Sequence, residues 1–246
     1  MMRDKADILR SAIRHAPGTV LKGSAFLDPA APQGGVVEFG VPEIDSALPW
    51  GGLPRGGLHE IAGPPGQASL FGFAAALVGR LDGPVLWCRC RRDAEAGLPY
   101  GPGLARFGLP PRRLILAEAA RPAETLWAME EGLRCRGLSA VLSEGVAPDL
   151  TASRRLQLAA EAGGTLALML TPTASPPTSA ALTRWRVVTA QSMAEAGGPG
   201  RARWRVSLLR CRGGTPRDWH LEWDDEALCF SVAAALADRP LALAAG

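Results

Sequence analysis

The chain has 246 residues, 47% of them hydrophobic, and a formal net charge of +3; that composition allows a large core, while so small a charge gives no bulk argument for nucleic-acid binding. No apolar run reaches the roughly 18 to 20 residues of a membrane helix, and the start, Met-Met-Arg-Asp-Lys-Ala-Asp, lacks the apolar segment of a signal peptide, so a cytoplasmic protein without membrane contact is expected. Five cysteines without C-x-x-C spacing read as reduced core thiols; Cys88 and Cys90 share one strand face but lack the further ligands of a zinc site.

Residues 3–15 place Ile8, Leu9, Ala12 and Ile13 on one face and Arg3, Asp4, Lys5, Asp7, Arg10 and Arg14 elsewhere, the pattern of an amphipathic helix ending before Pro17-Gly18. At about three turns it is marginal alone and needs a partner surface, its own core or another subunit. Residues 1–35 are therefore expected to be this helix and a linker, residues 36–230 the core, and residues 231–246 an alanine-rich helix and tail. The centre of the chain is the stretch from Gly40 to Leu81. Turn chemistry at Gly51-Gly52 and Pro54-Arg55-Gly56-Gly57 precedes a strand over Leu58–Ala62, a break at Gly63-Pro64-Pro65-Gly66, and a helix from about Gln67. Leu70, Phe71, Phe73, Ala74, Leu77, Val78 and Leu81 give that helix a broad apolar face for packing on a sheet.

A strand, glycine-containing loop and helix in that order is the setting of a phosphate-binding loop. Such a loop requires G-x-x-x-x-G-K-[ST]: backbone N–H groups cradle phosphates, a lysine reaches the terminal ones and a hydroxyl holds Mg²⁺. Counting from Gly63 puts Ala68 at the second glycine, Ser69 at the lysine and Leu70 at the hydroxyl; using Gly66 as the second glycine puts Gln67 and Ala68 in the last two places. The segment Gly63, Pro64, Pro65, Gly66, Gln67, Ala68, Ser69 reads as vestigial. The two lysines of the chain, Lys5 and Lys22, both lie before the strand.

Ile44-Asp45-Ser46-Ala47-Leu48, Gly51-Gly52-Leu53-Pro54-Arg55-Gly56 and Glu60-Ile61-Ala62-Gly63-Pro64 resemble the lead-in and first core strand of the bacterial RecA recombinases. With the degenerate loop, the chain length and the arginine-rich strand at 201–212, the whole most resembles the ImuA proteins, RecA-like accessory factors of a damage-inducible mutagenesis cassette. The SulA cell-division inhibitors, also RecA-like and without an intact phosphate loop, are the alternative.

Beyond the central helix, Pro84–Cys88 reads as a buried strand, with Arg89, Arg91, Arg92, Asp93 and Glu95 emerging at its end. In RecA-like ATPases a glutamate here activates water; Asp93 and Glu95 are the local candidates, offset among arginines, and the function reads as lost. Tyr100–Gly108 resembles the tyrosine-bearing segment before a short helix in RecA. Strands over 114–117, 138–142 and 165–170 alternate with helices over 122–136 and 151–162, the latter with Leu156, Leu158 and Ala159 apolar, which indicates a parallel, doubly wound sheet. Glu144 ends the strand that would carry the Walker B aspartate and is either a relic of it or a solvated strand-end residue. The loop Thr171–Thr178 is short and proline-fixed.

Residues 201–212 alternate Ala202, Trp204, Val206 and Leu208 with Arg201, Arg203, Arg205 and Ser207; after a turn at Gly213–Pro216, Trp219, Leu221 and Trp223 alternate with His220, Glu222 and Asp224. Either Arg203 and Arg205 pair with Glu222 and Asp224 across this hairpin, or Arg201, Arg203 and Arg205 form a basic ribbon for DNA phosphates or an acidic partner.

The reading is an α/β protein with a RecA-like P-loop-type core, a mostly parallel doubly wound sheet, a degenerate phosphate loop and a C-terminal antiparallel hairpin. The resemblance implies a non-catalytic adaptor in SOS translesion mutagenesis, without cofactor or metal. It would link RecA with an ImuB-type polymerase-like protein and an error-prone C-family DNA polymerase, through Ile8, Leu9, Ala12 and Ile13 among other contacts, and bind DNA weakly at most. The SulA-like alternative implies binding to the tubulin-like division protein FtsZ; a DNA-dependent ATPase is disfavoured by the missing lysine and hydroxyl.

Overall fold

A computed structural model describes residues 34–91, 97–173, 175–192 and 200–233. The expected N-terminal helix with Ile8, Leu9, Ala12 and Ile13, the pair Asp93 and Glu95, and residues 234–246 of the expected tail lie outside the described residues.

Val36–Val37 (β1) and Leu53–Pro54 (β2) form a two-stranded pair ahead of the main sheet. Among the described residues, nine strands make that sheet. Its central strand is β3 (Leu58–Ala62); on one side lie β7 (Leu166–Thr171), β6 (Ala140–Glu144), β4 (Val85–Cys90) and the edge strand β5 (Leu114–Ala119), in that order, and on the other β8 (Thr183–Thr189). These six are parallel. Their sequences are near-continuous apolar runs, as in Leu-Ala-Leu-Met-Leu of β7, because helices cover both faces of this part of the sheet. Three antiparallel strands extend it beyond β8: β9 (Arg203–Cys211), β10 (Arg217–Asp224) and β11 (Cys229–Val232). The expected hairpin is thus the middle of a four-stranded extension that begins at β8, and Ser231 and Val232 belong to a strand rather than to the start of a helix.

The helices fill the crossovers that parallel neighbours require. The short α1 (Pro42–Asp45) starts with proline at its first position, and the Asp45 carboxylate accepts from the Phe39 and Val41 N–H groups at 2.8 and 3.1 Å, which fixes the lead-in. α2 (Ser69–Gly79) connects β3 to β4 and, with α3 (Gly101–Ala105), lies on one face; α4 (Pro122–Leu133) and α5 (Leu150–Gly163) cover the other. Asp149 caps α5 by accepting from Ala152 N–H at 2.7 Å, and Gly164 ends it in the left-handed conformation, φ 64°. The outward side of α5 includes Leu158, 63% exposed, so the apolar face of this helix runs through Leu156, Ala159 and Ala160 instead.

α2 is enclosed. Ser69, Leu70 and Phe73 to Val78 are buried, because the lead-in residues Phe39, Ile44 and Leu48 and the inward residues of the antiparallel extension, Trp204, Val206, Trp223 and Phe230, wrap the side turned away from the sheet. Phe73 sits 5.8 Å from Trp204 and 5.6 Å from Phe230, ring centre to ring centre, and Phe39 lies 5.2 Å from Trp185. At the C-terminal end of the helix a Cβ on Gly79 would stand 2.3 Å from the Phe107 carbonyl oxygen, so the close approach of the 107–109 segment requires glycine there.

His59, in the middle of β3, has no solvent contact. Its Nε2 lies 3.0 Å from the Pro54 carbonyl and its Nδ1 2.8 Å from the Thr183 hydroxyl, which also accepts from the Trp185 indole N–H at 2.8 Å. A carbonyl can only accept, so the proton is on Nε2 and the Thr183 hydroxyl donates to Nδ1. Burial pushes the imidazole down from its ordinary value to about 4, with the Pro54 carbonyl pulling the other way. The unfolded chain takes up this proton near pH 6.5 and the folded one near 4, so the contribution of His59 to stability is complete above pH 6.5 and is lost as pH falls toward 4. Denaturant melts at pH 7 and pH 4 are expected to differ by about 3 kcal/mol more in the native chain than in His59→Asn. An equal pH dependence in the two proteins would refute this.

Candidate functional site

The loop that resembles a phosphate-binding loop joins β3 to α2 at the carboxyl end of the parallel strands. Gly63 N–H bonds to the Thr171 carbonyl at 3.3 Å. A Cβ at Gly63 would lie 2.6 Å from the Val187 carbonyl oxygen, so glycine lets the chain leave β3 against β8, and Gly66, φ 76°, makes the turn into α2. Pro64 and Pro65 stiffen the approach. Ala68 occupies the N-cap of α2 and supplies no side-chain acceptor. Gln67, which takes the lysine's place in one frame, folds back: its Oε1 accepts from the Thr189 N–H at 3.4 Å and lies 3.5 Å from the Ser69 hydroxyl. Ser69 itself is buried in the first turn.

On the α2 face of the sheet lies a buried charge cluster. Glu144, at the end of β6, is 7% exposed. Its Oε2 accepts from the Trp87 indole N–H at 2.9 Å and from Arg89 Nε at 3.0 Å, and its Oε1 from Arg89 Nη2 at 3.3 Å. Arg89, 2% exposed, also donates to the Gly97 carbonyl at 2.6 Å and reaches Glu118 on β5 at 3.5 Å. Trp87 packs toward Phe71 of α2, ring centres 6.2 Å apart, which ties the cluster to the helix that follows the loop. The reading of Glu144 as a solvated strand-end residue is therefore corrected: both its oxygens are held, by a guanidinium and an indole. Sequence reasoning ended the strand at Cys88 and put Arg89 in the loop. Carrying the alternation Val85, Trp87, Arg89 two residues further would have placed the arginine inward on β4, opposite Glu144 and Glu118 in the strand register.

A second network fixes the loop after β7. Glu60, 1% exposed on β3, accepts from Arg184 Nε at 2.7 Å and from the Ser179 hydroxyl at 2.9 Å. Arg184 also donates to the Pro176 and Pro177 carbonyls, and Arg210 to those of Ser179 and Ala181, so two guanidinium groups pin the segment between Thr171 and Thr183 to the sheet.

The expected cross-hairpin pairing holds for Arg203 and not for Arg205, whose place is taken by Arg201. Arg203 donates to Glu222, directly across β9 and β10, and Arg201 reaches Asp224 at 2.9 Å and Glu222 at 3.7 Å. Arg205 stands opposite His220, not Asp224, and is exposed. Among the described residues, no three His, Cys, Asp or Glu side chains come together as a metal-binding group. Cys88 is enclosed and its thiol is pushed up to about 12 by burial, as befits a core residue. No described helix is long and apolar enough to cross a membrane.

Removing Glu144 leaves the Arg89 guanidinium in the sheet with Glu118 as its remaining carboxylate. Glu144→Ala is expected to cost about 3–5 kcal/mol, because a buried charge loses its close partner, whereas Arg89→Met with Glu144→Leu is expected to recover most of that loss. Urea denaturation read at constant m-value measures both, and a loss below about 1 kcal/mol in Glu144→Ala would refute the pairing.

No family model matches the chain. Its likeness to curated proteins is extensive: Protein ImuA of Caulobacter vibrioides strain NA1000 is 38% identical over 233 residues, spanning 85% of this chain and 93% of the relative. Protein ImuA of the Caulobacter vibrioides strain ATCC 19089 matches to the same extent. Similarity at that level over so much of both chains shows that the chain belongs to the ImuA family.

Proposed function

We propose that this chain is a non-catalytic, RecA-like adaptor in DNA-damage-induced translesion mutagenesis, linking RecA with an ImuB-type polymerase-like protein and an error-prone C-family DNA polymerase. The observation that carries the non-catalytic part is the state of Glu144. In a nucleotide-hydrolysing site a carboxylate at this strand end helps to hold Mg²⁺; here it is neutralised by Arg89 and bonded by Trp87, and a metal would have to displace a guanidinium that is itself 2% exposed. The loop between β3 and α2 has Gln67 and Ala68, or Ser69 and Leu70, where lysine and hydroxyl are required. The loop after β7, pinned by Arg184 and Arg210, has no basic residue between Thr171 and Thr183, which supports the expectation of weak DNA binding. Arg201 and Arg203, being paired with carboxylates, support it too.

Titration with a fluorescent ATP analogue and Mg²⁺ is expected to give no saturable binding. Saturation at micromolar concentration that disappears on altering Gly63 and Gly66 would overturn the non-catalytic reading.

The adaptor part rests on kinship with ImuA proteins and on the apolar face of Ile8, Leu9, Ala12 and Ile13 read from the sequence. Purified protein is expected to associate with RecA, and Ile8→Asp with Ile13→Asp to abolish the association while circular dichroism of the core stays unchanged, because two charges would enter an apolar contact. Association with FtsZ in place of RecA, with normal damage-induced mutation frequency in a strain lacking the gene, would move the assignment to a division inhibitor.

A further inference from the structure

We draw no further inference here: the strongest candidate, the apolar outer edge of β5, where Leu116 is exposed and no described strand pairs, carries nothing because nothing in the structure shows what covers it.

Discussion

A helix without a solvent side sets the terms for this fold. α2 is buried on its sheet face by the parallel strands and on its outer face by the lead-in and the curled antiparallel extension. An amphipathic helix is oriented by the contrast between its faces; this one, apolar all round, has no such contrast. Its rotation is settled by close approaches instead, Gly72 beside the Phe107 ring and Trp204, and Gly79 beside the Phe107 backbone. The loop from Gly63 to Ala68 leads directly into that helix, so its geometry is inherited from the core and does not depend on a bound phosphate to order it.

The same enclosure explains what could be read from the chain beforehand. Strong periodicity gave the elements away: the unbroken apolar run of β7 announced a strand covered on both faces, and the alternation of Trp204, Val206 and Leu208 with arginines announced one covered on a single face. β11 escaped because Cys229 to Val232 is too short to show a period, and its pairing is dictated by β10 and by Phe230 reaching the aromatic cluster around Phe73. The missed Arg89 has a different cause. A charged residue at the end of an apolar run is ordinarily a sign of solvent, and only a long-range partner, Glu144 at a distance of 55 residues in sequence, reverses that inference.

Arginine also does structural tasks that its abundance alone would not reveal. Arg184 and Arg210 hold the proline-rich segment, Arg113 donates to carbonyls at the C-terminal end of α2, and Arg201 and Arg203 close the β9–β10 face on carboxylates. The planar fork of donors suits each of these, since one side chain satisfies several carbonyl or carboxylate oxygens at once. Much of the positive charge that a reader of the sequence would assign to a nucleic-acid surface is in this way consumed inside the molecule.

The pairing of Arg89 with Glu144 also bears on how the sheet finds its strand order. β6 lies between β4 and β7, although it follows β4 in the chain by a full βα unit. A guanidinium stays charged at any ordinary pH, so Arg89 cannot enter the interior by shedding its proton as a lysine would. A mis-ordered sheet in which β4 paired directly with β7 would bury that charge beside Leu170 with no carboxylate of β6 in reach. There Glu118 of β5 would be the carboxylate left to Arg89, so the closer pair with Glu144 adds to the energy that favours the native order.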